Sequence, residues 1–284
     1  MQSNEKANYI IGIDIGGTIT KIAGIGGDGS LHCLQVRATD PLASLYGAFG
    51  KFLSQNGVQL HQVQHIMVTG VGSSALREPI YGISTSVVDE FYCTGRGGLY
   101  LTDLEEGIIV SMGTGTAFVY ATSEKIEHLG GTGIGGGTLV GLSNAVLNVR
   151  DIKNLVKLAQ KGDLRKVDLS IGDITTNAVS NLPFDATASN FGKLSELATP
   201  EDIALGLLNL VYQTIGMLAV FASRGNGDKE VVLTGNLADV PECGPIFEAL
   251  SNMFEVKFHL PEQAQFATAI GAALSYGKQP ATQI

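Results

Sequence analysis

Apolar and polar positions along the chain predict strands first and then alternating helices and strands. An apolar run at 9–15 indicates a buried strand, residues 18–25 indicate its antiparallel return, and residues 31–38 indicate a third strand after the turn GGDG. The next elements are a helix, a strand and a second helix, predicted over 41–56, 65–70 and about 91–104. This order predicts a three-strand meander that continues into α/β alternation.

The same pattern restarts in the second half of the chain. Residues 107–121 form a second apolar strand, a glycine–threonine turn and a return strand, and residues 126–131 complete another meander. Positions 110–117 have the same layout as positions 13–20. The repetition predicts two α/β lobes, 1–105 and 106–284, which face each other across a cleft.

Helices are predicted for much of the second lobe. The glycines at 135–137 lead into one long helix over 141–161, and Gly162 suits the position just past its end. Residues 163–195 are polar and irregular. The apolar run 203–223 favours a buried core helix over a membrane span, because polar side chains interrupt it. A strand, a helix, a short strand and a final helix are predicted over 230–235, 244–253, 255–260 and 267–277.

Net charge and cysteine content limit the classes of binding partner and metal site that the chain can have. The formal net charge of −9 argues against nucleic acid or an anionic membrane as a partner, but not against a small anion held by backbone amides. Cys33, Cys93 and Cys243 form no CxxC and the histidines form no HxxxH, so a His/Cys metal cage is not expected. The odd cysteine number suits reduced thiols in the cytoplasm. The polar start MQSNEKA predicts no signal segment.

A carboxylate, two glycines and a hydroxyl separate the first two strands in DIGGTITK, residues 14–21. Glycine turns let backbone amides approach an anion closely, and a carboxylate beside that anion needs a bridging cation. Mg²⁺ held by Asp14, waters and substrate phosphates meets both requirements. The alternative is a tight hairpin with Asp14 as an ordinary turn residue. A second turn at 113–116 and a glycine cluster at 131–138, which opens a helix, favour phosphate binding.

These segments resemble known ATP-binding motifs. DIGGTITK, GTGT at 113–116 and VVLTGN at 231–236 resemble the phosphate-1, phosphate-2 and adenosine segments of the actin-like sugar-kinase/Hsp70 ATPase superfamily. Over about residues 8–277 the chain resembles type II (eukaryotic-like) pantothenate kinases, with GGTGIGGGTLVGL and TASNFGK as the specific motifs. The resemblance implies a duplicated α/β, actin-like (ribonuclease H-like) two-lobe ATPase fold with a central cleft. It also implies ATP and Mg²⁺ as cofactors and a homodimer formed through the long helix of the second lobe.

The resemblance further implies roles for individual residues. Glu90 is the catalytic carboxylate, which suits a base beside an attacking hydroxyl, and the alternative is an ordinary acid at a helix start. Asp14 is the metal ligand, and Thr116 and His128 join Glu90 in binding the substrate. The nucleotide-binding positions that the resemblance implies are Asp14, Gly16, Gly17, Thr18, Lys21, Gly113, Thr114, Gly115, Gly135, Gly136, Gly137, Thr138, Leu139, Asp151, Gly235 and Asn236.

Two positions depart from the family pattern. His128 stands where relatives usually carry arginine, and Ala117 stands where they usually carry serine. Arginine offers a permanent charge and a two-pronged donor, and a neutral imidazole supplies neither. We therefore expect an intact ATP site and an altered acceptor site.

The preferred interpretation is a cytoplasmic kinase that uses ATP to phosphorylate pantothenate to 4'-phosphopantothenate, the first step of coenzyme A biosynthesis. The alternatives are an actin-like kinase of another small hydroxy compound and a catalytically weak nucleotide-binding regulator. The spacing Gly70-x-Gly72-x-x-Ala75, with Asp89 about 20 residues on, also resembles a dinucleotide fingerprint and so an NAD-dependent oxidoreductase. The expected partners are a small-molecule substrate and a second copy of the chain, with no nucleic acid and no membrane.

Overall fold

A computed structural model describes residues 8–38, 40–177, 182–227, 229–278 and 281–283. The start MQSNEKA, from which we expect no signal segment, lies outside these described ranges. The chain divides into two compact units, of which unit 1 takes Met1–Ile109, Val119–His128 and Pro261–Ile284, and unit 2 takes Val110–Phe118 and Leu129–Leu260. The lobe boundary near residue 105 stays a prediction.

Strands and helices alternate as the apolar pattern predicts. The strands are β1 (Tyr9–Ile15), β2 (Ile19–Ile25), β3 (Leu31–Arg37), β4 (Val63–Thr69), β5 (Thr85–Val87), β6 (Glu106–Met112), β7 (Thr116–Thr122), β8 (Ile126–Thr132), β9 (Leu169–Ser170), β10 (Thr187–Ser189), β11 (Glu230–Thr234), β12 (Lys257–His259) and β13 (Thr282–Gln283). The α-helices are α1 (Pro41–Asn56), α2 (Glu90–Thr102), α3 (Gly136–Leu147), α4 (Ile152–Ala159), α5 (Ile171–Ile174), α6 (Pro200–Asn226), α7 (Cys243–Phe254) and α8 (Ala267–Leu274).

The two large sheets confirm the predicted repetition. The first has the strand order β13-β5-β4-β1-β2-β3, and the second has the order β12-β11-β6-β7-β8. In both sheets the first strand of a meander lies between the next strand of that meander and a strand from later in the chain. In the first sheet, β1 is antiparallel to β2 and parallel to β4, and β4 is parallel to β5.

The core of unit 1 forms between α1 and one face of the first sheet. Phe49 and Phe52 of α1 are fully buried among the isoleucines of β1 and β2. Asp40 starts this helix, because its side chain accepts a hydrogen bond from the amide of Ala43, and Gly57 ends it in the left-handed region. Both ends of the predicted helix over 41–56 therefore carry residues that are typical of helix termini.

Glycines bring the backbones of α2 and α8 into direct contact in unit 1. A Cβ atom on Gly97 of α2 would lie 1.8 Å from the carbonyl oxygen of Ala267, and one on Gly271 of α8 would lie 1.7 Å from that of Cys93. Gly12 of β1 has the same relation to Ala269 of α8, at 1.9 Å. No side chain fits at these three positions, so the glycines fix how α2 and α8 pack.

Helix α6 confirms the predicted buried core helix in unit 2. Thr199 caps it by accepting a hydrogen bond from the amide of Asp202, and Tyr212 in its middle donates a buried 2.8 Å hydrogen bond to the carbonyl of Leu237. Among the described residues, α6 is the one helix long and apolar enough to cross a membrane, and 61% of its most apolar window is buried inside the protein. Core helices of large α/β proteins have the same length and composition.

The prediction of one long helix over 141–161 is wrong. The chain forms α3 and α4 instead, and Asn148 between them adopts a left-handed backbone with φ of 54°. Asparagine tolerates this conformation. The hydroxyl of Ser143 donates to the carbonyl of Val149, and Asp151 accepts from the amide of Lys153 to start α4. These local polar contacts outweigh the apolar periodicity that continues through the break.

We predict opposite effects of alanine at two helical glycines. Gly97→Ala should destabilise the protein by about 3 kcal/mol or more, because its Cβ would meet a backbone oxygen that cannot move aside. Gly50→Ala, in an exposed part of α1 with open space around it, should stabilise the protein by about 0.5–1 kcal/mol. Urea unfolding followed by circular dichroism measures both. Equal effects at the two positions would contradict the close packing of α2 on α8.

Candidate active site

Three adjacent parallel strands of unit 1 end at the same edge of the sheet. Asp14 lies near the end of β1 and pairs with Thr69, the last residue of β4. Strand β5 lies on the other side of β4, and Glu90 follows its end as the first residue of α2. The order β5-β4-β1 therefore brings the predicted metal ligand and the predicted catalytic carboxylate to one edge.

Asp14 is buried and has a cation opposite it on the next strand. Its side chain is 12% exposed, and its Oδ2 lies 3.9 Å from Nζ of Lys21, its register partner on β2. Burial raises the pKa of Asp14, and the Lys21 ammonium partly opposes this effect. The strand register brings the two residues together, and Lys21 is itself largely buried.

Glu90 shares the electrostatic field of Asp14. Burial is the main cause that raises its pKa, the negative charges of Asp14 and Asp89 raise it further, and Lys21 lowers it. Asp89 caps α2, because its Oδ1 accepts a 2.8 Å hydrogen bond from the amide of Tyr92. The cap holds the first turn of α2, and with it the backbone of Glu90, in a fixed position.

The glycine turn between β1 and β2 is a tight hairpin. The amide of Gly16 donates to the carbonyl of Ile19 at 3.1 Å, and the carbonyl of Thr18 accepts from the amide of Ala38 at 2.8 Å. Gly17 and Thr18 are exposed, and a Cβ on Gly17 would meet nothing within 4 Å. One amide of the predicted phosphate nest is thus used inside the turn, and the exposed tip carries Gly17 and the Thr18 hydroxyl.

His128 belongs to unit 1 and lies flat against an aromatic ring. Its imidazole stacks on Phe91, with ring centroids 3.8 Å apart and planes within 8° of parallel. Phe91 directly follows Glu90 in α2. The structure therefore connects the predicted substrate residue His128 to the helix that carries the predicted base, through a contact that sequence reasoning did not anticipate.

The two glycine segments of unit 2 bind each other. The amides of Gly136 and Gly137, at the start of α3, donate to the carbonyls of Gly113 and Thr114 at 2.8 Å each. These two amides close the turn after β6 onto α3, and Thr114 is exposed at that turn. Within the same unit, the hydroxyl of Thr116 donates to the carbonyl of Ile134, and the hydroxyl of Thr138 donates to the carbonyl of Gly133. The other predicted nucleotide-binding residues of these two segments are Gly115, Gly135 and Leu139.

Gly235 forms the equivalent turn after β11. Its φ is +87°, and a Cβ there would lie 2.5 Å from the carbonyl oxygen of Met112 at the end of β6. The half-buried Asn236 follows it. Asp151 has a structural position instead, as the N-cap of α4, where its Oδ1 accepts from the amide of Lys153 at 2.9 Å.

Two features of the site were not identified from the sequence. A Cβ atom on Gly70, after β4, would lie 2.6 Å from Oδ1 of Asp14. The sequence feature that could have identified Gly70 is the match of VTG at 68–70 to LTG at 233–235. Asp168 is buried in unit 2 and accepts hydrogen bonds from the side-chain amides of Asn190 and Asn209 and from the backbone amide of Phe191. It anchors the TASNFGK motif, and no local pattern marked it.

Similarity to known proteins establishes the family. The sequence model of the Fumble family matches residues 106–255, just over half of the chain. A type II pantothenate kinase of Bacillus cereus is 30% identical over 240 residues, which cover 81% of this chain and 83% of that protein. The chain belongs to the type II pantothenate kinase family. A relative of the same name from Staphylococcus epidermidis is 26% identical and covers 92% of this chain and 98% of its own length.

Solved structures confirm the fold class. The activator of the 2-hydroxyisocaproyl-CoA dehydratase from Clostridium difficile, with bound ADPNP, superposes with a TM-score of 0.67 at 19% identity, over 94% of this chain and 93% of that one. A ROK hexokinase from Thermus thermophilus gives a TM-score of 0.56 at 14% identity, over 94% and 97% of the two chains. The predicted actin-like ATPase fold is therefore confirmed.

The dinucleotide fingerprint at Gly70-x-Gly72-x-x-Ala75 does not have the structure that such a motif needs. That motif opens an α-helix whose N-terminus binds the pyrophosphate. Here Val71–Ala75 is a short 3-10 turn that ends at Leu76. The oxidoreductase alternative therefore loses its structural basis.

We predict that Asp89→Asn lowers the pKa of Glu90. The substitution removes one of the negative charges that raise this pKa, and asparagine caps a helix about as well as aspartate. The matched control is Asp40→Asn, which makes the same change at the N-cap of α1 and is expected to leave Glu90 unchanged. NMR titration of ¹³C-labelled glutamate carboxyls, with Glu90 assigned by Glu90→Gln, measures the shift. A Glu90 pKa that stays constant or rises in Asp89→Asn would contradict this account.

Proposed function

We propose that this protein transfers the γ-phosphoryl group of ATP to the primary hydroxyl of pantothenate, forming 4'-phosphopantothenate at the start of coenzyme A synthesis. The observation that carries the proposal is the pair of coupled carboxylates, Asp14 and Glu90, at one strand edge of a chain that belongs to the type II pantothenate kinase family. The Asp14 carboxylate suits a metal ion on the ATP phosphates, and the Glu90 carboxylate suits a base beside the attacking hydroxyl.

Glu90 acts as the general base. Its raised pKa improves its strength as a proton acceptor. Because only the ionised form accepts the hydroxyl proton, kcat/KM falls as the pH drops through the Glu90 pKa, above the ordinary value of 4.5. Most of the rate enhancement then comes from positioning and charge neutralisation, as in other phosphoryl transfers.

Asp14 fits a magnesium ion that arrives with the nucleotide. Mg²⁺ in kinases commonly uses one or two carboxylates, with waters and substrate phosphates completing its shell. Asp14 is a single buried carboxylate, and no cluster of three or more His, Cys, Asp or Glu side chains suited to a metal occurs in the described part of the chain. The bound ion would neutralise charge on the phosphates, and Lys21 favours the ionised form of the Asp14 carboxylate against the effect of burial.

Each unit, taken by itself, carries turns that resemble nucleotide-binding elements. In unit 1 the exposed tip of the first hairpin offers Gly17 and the Thr18 hydroxyl. In unit 2 the exposed Thr114 turn and the Gly235–Asn236 turn are the corresponding elements, while Gly136 and Gly137 support the Thr114 turn through their amides. We assign phosphate binding to the hairpin tip within unit 1 and to the Thr114 turn within unit 2, and adenosine binding to the Gly235–Asn236 turn within unit 2.

A different hydroxy compound is the second candidate acceptor. The stacked pair of His128 and Phe91 presents an aromatic surface beside the helix of Glu90, and a neutral imidazole lacks the charged fork that favours a carboxylate. Ala117 likewise supplies no hydroxyl. Pantetheine and N-acetylhexosamines therefore belong in the same assay as pantothenate. A turnover assay also separates a kinase from a nucleotide-binding regulator.

A coupled ADP-release assay with Mg·ATP and this acceptor panel tests the function. We predict turnover with pantothenate, a loss of roughly 10²–10⁴-fold in kcat for Glu90→Gln with an ATP affinity close to that of the wild type, and severe loss for Asp14→Asn. Asp40→Asn serves as the control, because it removes a helix-capping carboxylate of unit 1 that is not among the groups that shift the Glu90 pKa. If ATP affinity falls as much as the rate in Glu90→Gln, this residue is structural. If the panel gives no ADP release, the chain is a binding protein.

We also propose that the protein is a cytoplasmic homodimer that pairs through unit 2. Helices α3 and α6 contact each other and carry exposed apolar side chains, Val146 on α3 and Leu218 and Phe221 on α6. Single exposed apolar residues are common, but several on adjacent helices indicate a contact surface. The net charge of −9 favours neither nucleic acid nor an anionic membrane as the partner.

We predict that Phe221→Asp converts the dimer to a monomer. Phe221 is 58% exposed on α6, and a charge placed in an apolar contact weakens association. Ile174→Asp on α5, at 61% exposure in the same unit, is the control and should leave the molar mass unchanged. Size-exclusion chromatography with light scattering measures both. A monomeric wild-type protein would overturn the dimer proposal.

A further inference from the structure

The internal repetition places the same turn at equivalent positions of the two sheets. Gly70 follows β4 with φ of 87° and ψ of 163°, and Gly235 follows β11 with φ of 87° and ψ of 177°. In each sheet the strand before the glycine lies directly beside the first strand of the meander. Each turn continues as a short 3-10 segment. The turn of unit 2 is our adenosine-binding element, whereas its counterpart in unit 1 has so far no ligand.

The unit 1 turn lies where open α/β sheets bind ligands. From β1 the chain builds the sheet in one direction through β2 and β3, and in the other direction through β4 and β5. Ligands of such sheets bind outside the carboxyl ends of the strands at the point where the direction reverses. Here that point is the gap between the ends of β1 and β4. The turn that starts at Gly70 therefore lies between the strand end of Asp14 and the strand end that leads to Glu90.

Close contacts hold this turn on β1 and leave one apolar side chain outside. A Cβ on Gly70 would meet Asp14, and one on Gly72 would lie 2.4 Å from Cγ2 of Ile15. The hydroxyl of Ser74 donates to the carbonyl of Val71 at 3.2 Å, which keeps that hydroxyl within the turn. Val71 is 71% exposed, more than any other apolar side chain of unit 1 among those identified as exposed. Val71 directly follows Gly70, the residue whose backbone packs against Asp14, so its exposed side chain extends from the turn next to the proposed metal ligand.

We propose that the turn Gly70–Ala75 binds the acceptor and that Val71 contacts the apolar carbons next to its reacting hydroxyl. The acceptor hydroxyl must reach Glu90, so the carbons that bear it lie beside the strand ends on either side of β4. In pantothenate the neighbouring carbon carries two methyl groups, and a branched apolar side chain matches this shape. The inference rests on the proposed kinase function. It assigns selection of the acceptor to a residue outside the predicted site.

Steady-state kinetics of Val71 variants test this assignment. Val71→Thr keeps the shape and replaces a methyl with a hydroxyl, and Val71→Asp adds a charge. We expect the acceptor KM to rise roughly tenfold in Val71→Thr, the effect of losing one apolar contact in a binding pocket, and more in Val71→Asp. The KM for ATP should stay within about twofold of the wild-type value. Leu60→Asp, at another exposed apolar position of unit 1 with 47% exposure, is the matched control and should change neither KM.

The outcomes separate this inference from the proposed function. If the wild type turns over pantothenate or another compound of the panel and both Val71 variants keep its acceptor KM within twofold, the turn does not bind the acceptor and the inference is wrong. If ATP and acceptor KM rise together, Val71 supports the whole site and the inference is also wrong. If the wild type turns over no acceptor, the proposed function fails, and the inference fails with it.

Discussion

The parallel pairing of β1 with β4 is the constraint on which the rest of the site depends. This pairing sets Thr69 opposite Asp14, and the next pairing, of β4 with β5, adds the strand that leads to Glu90. The hydrogen-bond register fixes these positions, because a slip of one residue would turn Asp14 to the other face of the sheet. The proposed site therefore has the rigidity of a sheet edge, although Asp14 and Glu90 lie at or beyond a strand end.

Glycine and charge compensation make that edge possible. The close contacts at Gly97 and Gly271 fix the packing of α2 on α8. This packing fixes the position of the first turn of α2, which carries Glu90. Burying Asp14 is unfavourable for its ionised form, and Lys21 on the neighbouring strand offsets part of this cost. Stability and function thus use the same positions, and the protein gives up some stability to hold ionised groups out of water.

Much of the fold and part of the site could be predicted from local patterns. Alternation of apolar runs and glycine turns predicted both meanders, and apolar patterning predicted the helices α1 and α6, which the structure caps with Asp40 and Thr199. The break between α3 and α4 was missed, because Asn148 and Asp151 override an apolar periodicity that continues through them. Periodicity reports which face is buried, but it does not report where polar side chains end a helix.

The sequence by itself determined that the chain repeats an α/β unit, that glycine turns follow its first strands and that Asp14 and Glu90 are carboxylates near strand ends. Tertiary structure decided which of these groups meet. Strand order placed Gly70 against Asp14, tertiary packing placed His128 of β8 on Phe91 of α2, and hydrogen bonding used the amides of Gly136 and Gly137 within the fold. Such contacts join residues far apart in the chain, and only long-range pairing and close packing select them from the many that local sequence allows.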